Sequence, residues 1–156
     1  SLICSFIPSW RWDITRSVFR RFFRNWESGS ASLACEIRER CAMSECLFCK
    51  IAEKKIPVKL VQEDEHTVAF DDINPQAPVH TLVIPKRHVS AVQDVGVEDE
   101  SLLAQLLLSC TKVAALKGLR ESGYRLVTNT GRDAGQTVFH LHFHVMGGRP
   151  MAWPPG

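Results

Sequence analysis

The chain has 156 residues, 45% hydrophobic and 23% charged, enough for one compact domain with a sizeable core and too apolar for a disordered or fibrous class. Its net charge of +2 is unevenly spread: residues 1–42 carry seven Arg against four acidic residues, residues 43–156 twelve Lys and Arg against thirteen Asp and Glu. So neutral a main domain lacks the basic face of a nucleic-acid-binding module, and no apolar run approaches the roughly 20 residues needed to cross a bilayer.

Residues 10–26 place Ile14, Val18, Phe22 and Trp26 on one helical row and Arg16, Arg20 and Arg24 opposite it, the pattern of a basic amphipathic helix. The stretch Glu27-Ser-Gly-Ser-Ala-Ser reads as a linker and the character changes at Met43. Residues 1–42 are therefore expected outside the core and residues 43–156 to form the domain. Three readings of the extension stay open: a targeting segment, a tag or upstream-translated extension, and a helix that contacts a membrane surface through residues 10–26. The expected location is the cytoplasm, or a mitochondrion or other organelle if residues 1–42 are a transit peptide.

From Met43 the pattern is regular. A short helix is expected over about 46–54, ending before Pro57, and then a hairpin of strands near 58–63 and 67–71, marked by Val58, Leu60, Val68 and Phe70. After the Pro-rich loop Asn74–Pro78, His80–Pro85 reads as a buried strand and Lys86–His88 as a polar turn. Residues 98–118 repeat Leu102, Leu103, Leu106, Leu107, Cys110, Val113 and Ala114 at helical spacing, with Glu98, Asp99 and Glu100 in the first turn. Two strands, 123–128 and 137–146, flank the Gly-rich loop Asn129–Gly135. The order β-β-β-α-β-β predicts an α+β domain with a largely antiparallel sheet, one long helix and one short.

The run His140-Leu-His142-Phe-His144 carries the chemistry. On a strand its rings share one side about 6.6 Å apart, while Phe139, Leu141, Phe143 and Val145 form the buried apolar row. Three imidazoles so placed can ligate a metal, bind an anion, or move protons and attack through a ring nitrogen. Of the cysteines at 4, 35, 41, 46, 49 and 110, only Cys46 and Cys49 have a recognisable spacing. In a domain with so ample a core, C-x-x-C reads as metal-binding or redox chemistry, or as two plain thiols, rather than as part of a disulfide framework.

His140-Leu-His-Phe-His144-Val-Met resembles the signature of the histidine triad nucleotide-binding proteins. Asp72-Ile-Asn-Pro-Gln-Ala-Pro-Val-His80, Leu82–Lys86, Gly135-Gln136 and the ending Gly147–Gly156 are similar to the purine nucleoside phosphoramidase branch, over about 44–156. Relatives that cleave dinucleoside polyphosphates typically follow the triad with Pro-Arg and lack the Trp-Pro-Pro-Gly ending. The resemblance implies a histidine-triad-like fold, a two-fold homodimer with a continuous sheet, and a C-terminal tail, here carrying Trp153, that reaches the neighbouring site.

It further implies that His142 attacks the α-phosphorus of a purine nucleoside phosphoramidate, releasing an amine and then AMP or GMP. The His140 carbonyl would fix its tautomer, and His144 would bond the phosphoryl oxygens. Asn129 with the backbone of Gly135, Gln136 and Thr137 would bind phosphate. Thr137 stands where the branch more often has Ser, and its extra methyl bears on the leaving group. His80 joins the proton-relay surroundings by resemblance, though a strand-starting His bonding backbone is an equal reading. Asp72 would accept both ribose hydroxyls, or serve as a turn residue. Leu47, Phe48, Ile51, Ile56, Phe70 and Ile73 match the base pocket, or are plain core.

In some histidine triad proteins a C-x-x-C pairs with two histidines, here Cys46, Cys49, His88 and His140, around a structural Zn²⁺; no organic cofactor is implied. Two other functions remain: a non-catalytic nucleotide-binding zinc scaffold or regulator, and a dinucleoside polyphosphate hydrolase.

Overall fold

A computed structural model describes residues 45–154. The basic segment 10–26, the linker after it and the boundary at Met43 lie outside the described residues. Helix α1, Leu47–Ala52, follows the extended Cys46 and buries Phe48, Cys49 and Ile51. It stops where Lys54 takes a positive φ, three residues before Pro57.

Five strands follow: β1 Leu60–Glu63, β2 Thr67–Asp71, β3 Val79–Pro85, β4 Tyr124–Val127 and β5 Phe143–Gly147, with the long helix α2, Glu100–Leu116, between β3 and β4. They form one sheet in the order β1-β2-β3-β5-β4, every neighbouring pair antiparallel. The β1–β2 turn is closed by Asp64, whose Oδ1 accepts the amides of His66 and Thr67 at 3.0 and 2.8 Å.

Strand alternation divides the core into two layers. Ala69, Val83 and Val145 pack with Leu106, Cys110, Val113 and Ala114 of α2. Val68, Phe70, Leu82 and Ile84 project to the other face, where Phe48 and Ile51 of α1 cover them. His80 and His144 occupy that second face by the same alternation, since Leu82 pairs with His144 and His80 with Met146.

The last strand is shorter than its side-chain pattern predicts. It begins at Phe143 rather than residue 137, and its pairing with β3 ends at Val83↔Phe143. The segment ahead of it bonds elsewhere: the Leu141 amide donates to the Val89 carbonyl at 2.6 Å and the Gln136 side chain to the Ser90 carbonyl at 2.7 Å. Alternation survives at Leu141 and Val145, which are buried, but Phe139 is 60% exposed and does not belong to the apolar row.

Candidate active site and metal centre

Each imidazole of the triad has one ring nitrogen tied down, and the partner decides which nitrogen carries the proton. His142 Nδ1 lies 2.6 Å from the carbonyl oxygen of His140. A carbonyl can only accept, so in the neutral ring Nδ1 holds the hydrogen and Nε2 keeps its lone pair. The ring is buried between Phe48, edge-on at 5.3 Å, and His144 at 4.9 Å.

His144 is fixed by a longer chain. The Gln76 amide donates to His80 Nδ1 at 3.1 Å, which leaves the hydrogen of that ring on Nε2. His80 Nε2 then donates to His144 Nδ1 at 2.8 Å. His144 must therefore present Nε2–H, and that atom is buried with no protein partner. Burial pushes His144 down to about 4, helped by the adjoining His142 and His80 rings, and burial also lowers His80 against the pull of Asp72. The result is a neutral donor aimed into the site beside a nitrogen lone pair.

Asp72 is drawn into the same group, its Oδ2 3.5 Å from His80 Nε2, while its Oδ1 accepts the Asn74 amide at 2.8 Å. The turn role thus occupies one carboxylate oxygen and the contact with His80 the other. Asn129 follows β4 and opens the loop to Thr137. Gly135 in that loop has φ +79°, yet a Cβ there would meet nothing within 4 Å, so glycine is required by backbone twist and not by space.

Gln136 turns its side chain into the protein. Its side chain donates to the Ser90 carbonyl at 2.7 Å and the Val138 carbonyl at 3.2 Å, and accepts from the Gly131 amide at 2.9 Å. Its own amide donates to the Gly131 carbonyl at 3.0 Å. It braces the loop from inside, a role that composition and spacing give no sign of. Thr137, next to it, is exposed and opens on a cavity of about 400 Å³ shared with Glu45, Leu47, Ser90 and Phe139.

The expected base-pocket residues separate by depth. Phe48, Ile51 and Phe70 are buried in one cluster with Ile56 packed against it, whereas Leu47 is half exposed and Ile73 is 99% exposed. Ile73 follows Asp72 out of the sheet into the Pro-rich loop and touches the cluster nowhere. Trp153 is 84% exposed and packs on nothing within the described chain that would bury it.

Cys46, Cys49, His88 and His140 converge around the Nδ1 of His140. Their ligand atoms all lie within 4.8 Å of one another, with Cys46 Sγ and Cys49 Sγ 3.4 and 3.5 Å from His140 Nδ1 and Cys49 Sγ 3.3 Å from His88 Nδ1. Sulfur and nitrogen ligands at Zn²⁺ bond lengths are about 3.5 Å apart across a tetrahedral edge. His140 Nε2 donates to the Pro85 carbonyl at 2.9 Å, so its Nδ1 turns a lone pair toward the thiols. Burial holds that ring down to about 4, keeping the lone pair available. Burial, with Cys46 adding to it, raises Cys49 to about 12, the direction that a bound cation reverses. These four side chains can hold a metal ion. Cys110, by contrast, is on the buried face of α2, also pushed up to about 12 by burial, and is core.

Residues 53–151 match the family model of the HIT domain. A protein of Synechocystis sp. called an uncharacterised HIT-like protein is 49% identical over 112 residues, which cover 72% of this chain and 97% of that protein. Among solved structures, a HIT family hydrolase from Legionella pneumophila is 52% identical with a TM-score of 0.70, over 72% of this chain and 100% of its own. A HIT family hydrolase from Clostridium thermocellum is 46% identical with a TM-score of 0.68, over 69% of this chain and 94% of its own.

Proposed function

We propose that this chain, which belongs to the HIT domain family, is a nucleotidyl hydrolase that cleaves purine nucleoside phosphoramidates. One observation carries the reading: His142 is held with Nε2 bare, beside a His144 Nε2–H that is buried and has no protein acceptor. A nucleophile and a donor for phosphoryl oxygen thus stand side by side, their ring centroids 4.9 Å apart. The hydrolase names of the solved relatives and the phosphoramidase-like ending of the chain support the same reading.

His142 Nε2 attacks the α-phosphorus and the P–N bond to the amine breaks. The amine takes a proton as it leaves, relayed from solvent through the hydroxyl of the exposed Thr137. Water then attacks the same phosphorus, the phosphorus–His142 bond breaks, AMP or GMP leaves, and His142 regains its lone pair. Asp72 holds ribose through the lone pairs its two oxygens keep beyond their contacts with His80 and Asn74, and Asn129 with the loop braced by Gln136 holds phosphate. Phe48, Ile51, Ile56 and Phe70 form the floor under the purine, with Leu47 at its rim.

Cys46, Cys49, His88 and His140 would hold a Zn²⁺ through four sulfur and nitrogen atoms, and the ion would supply a structural cross-link there. The chain acts as a homodimer: Leu107, Leu108 and Leu116 are exposed on α2, and β4 is a sheet edge beside them. Among the described residues no helix is long and apolar enough to cross a membrane.

The test is hydrolysis of an adenosine phosphoramidate by the purified chain beside His142→Ala, with intact-mass analysis of samples quenched without acid. Turnover and an AMP-sized adduct, both lost in the variant, are expected. AMP binding without either would point to the scaffold reading, and faster turnover of a diadenosine polyphosphate would move the substrate to that class.

A further inference from the structure

The residues that form the metal cluster and those that orient the nucleophile are in part the same residues. His140 turns Nδ1 into the cluster and its carbonyl oxygen onto His142 Nδ1, 2.6 Å away. Phe48 stands between the two cluster cysteines in Cys46-Leu-Phe-Cys49, and its ring meets the His142 ring at 5.3 Å with the planes at 86°. The nucleophile is therefore gripped at one nitrogen by a cluster residue and walled by a side chain carried on the cysteine helix.

Neither support belongs to the sheet. The β3–β5 ladder ends at Phe143, beyond His140 and His142 in the direction of the C-terminus. Helix α1 is six residues long, far below the length at which a helix is stable in isolation. Three short pieces of chain meet at this point: α1, the turn after β3 through His88, and the triad segment through His140. The Leu141–Val89 and His140–Pro85 hydrogen bonds tie the triad segment to β3 and its following turn, and the four sulfur and nitrogen atoms add the polar link that brings in α1.

We infer that the Cys46, Cys49, His88 and His140 centre is a positioning device for the nucleophile: joined by one zinc-like divalent ion, these residues fix the His140 carbonyl and the Phe48 wall that together aim His142 Nε2. The inference rests on the roles given above to His142 and to the metal ligands. Asp72, Asn129 and His144, assigned to ribose and phosphate, lie outside the set, so loss of the centre reaches affinity only through the purine floor on α1 and falls more heavily on the chemical step. A displacement of the nucleophile by about 1 Å is enough to cost on the order of a hundredfold in rate.

The full chain is loaded with Zn²⁺, its metal content measured by mass spectrometry, and then stripped with a chelator and reloaded. His88→Gln, which removes one ligand and leaves His140 and Phe48 in place, serves beside it, and circular dichroism reports whether each form stays folded. Expected is a loss of kcat of about tenfold or more that exceeds the loss of AMP affinity, with recovery on reloading. Equal losses of kcat and affinity, unfolding of both the stripped protein and His88→Gln, or failure to take up stoichiometric Zn²⁺ would each overturn it.

A second readout needs no turnover. In the loaded protein the His142 Nδ1–H, bonded to the His140 carbonyl, should give an imidazole proton resonance protected from solvent exchange, and that protection should fall on stripping. An unchanged resonance defeats the clamp even if the enzyme is active. A protein that shows the resonance change but hydrolyses no phosphoramidate keeps the clamp and loses the proposed reaction.

Discussion

At the scale of single residues, the site is a set of rings whose proton positions are dictated by neighbours that can only donate or only accept. The Gln76 amide, two side chains away, decides that His144 shows a hydrogen to the ligand rather than a lone pair. Removing the middle ring, in His80→Ala, frees His144 to take either tautomer. A fall in kcat of about tenfold, with KM moved much less, is expected in steady-state kinetics; a change in KM alone would show that His80 serves binding. The same burial has a pH signature. His144 is held down to about 4 in the folded chain against an ordinary 6.5. Between those values the unfolded chain binds a proton that the folded chain refuses. Stability is thus full above about 6.5 and declines as the pH falls toward 4, by up to ~1.4 kcal/mol per pH unit for one such proton. His80 shifts in the same direction and adds to the decline. Urea unfolding from neutral pH down to about pH 5 should show this slope, and His144→Asn should flatten it; identical slopes in the two proteins would assign the acid loss to other groups.

At the scale of elements, the loop between β4 and β5 is held by one side chain. Gln136 satisfies two carbonyls and one amide from inside the loop. Gln136→Ala leaves those groups to find water, and a loss of about 1–3 kcal/mol in urea unfolding is expected, with weaker AMP binding by calorimetry as the loop loosens. Retained affinity at reduced stability would separate the brace from the phosphate site. This residue also marks where sequence reading stops. The hairpin, the buried β3 and the Leu-rich α2 were legible because each repeats its period over several residues and ends at a turn signal. The triad was legible as a side-chain pattern, with Leu141 and Val145 inward and the histidines opposite. The start of β5 was not, because alternation of side chains continues past the point where the backbone leaves the ladder for Val89. Nor does any local pattern mark Gln136, whose three partners are scattered from Ser90 to Val138, or show that Ile73 would stand clear of the pocket.

At the scale of the whole molecule, the question is what covers the apolar surface that one chain leaves open. Leu108 is 59% and Leu116 64% exposed on α2, and Trp153 at the far end of the chain is 84% exposed. Arg125 on the edge strand β4 donates to the Ala152 carbonyl at 2.6 Å, so the residue before Trp153 is tied to the same edge that a second copy would approach. If two chains meet along α2 and β4, the tail of one is delivered toward the site of the other. Leu108→Glu buries a charge in that contact and should shift sedimentation equilibrium from dimer to monomer. Trp153→Ala should leave the dimer intact and lower kcat/KM for a phosphoramidate by about three- to tenfold, an amount typical of one aromatic contact at a binding surface. The two substitutions act on a single arrangement, so their effects on kcat/KM should not add: the double variant should be no slower than Leu108→Glu alone. Additive losses would mean that Trp153 serves the site of its own chain, and a dimer unmoved by Leu108→Glu would place the two-fold contact on another face.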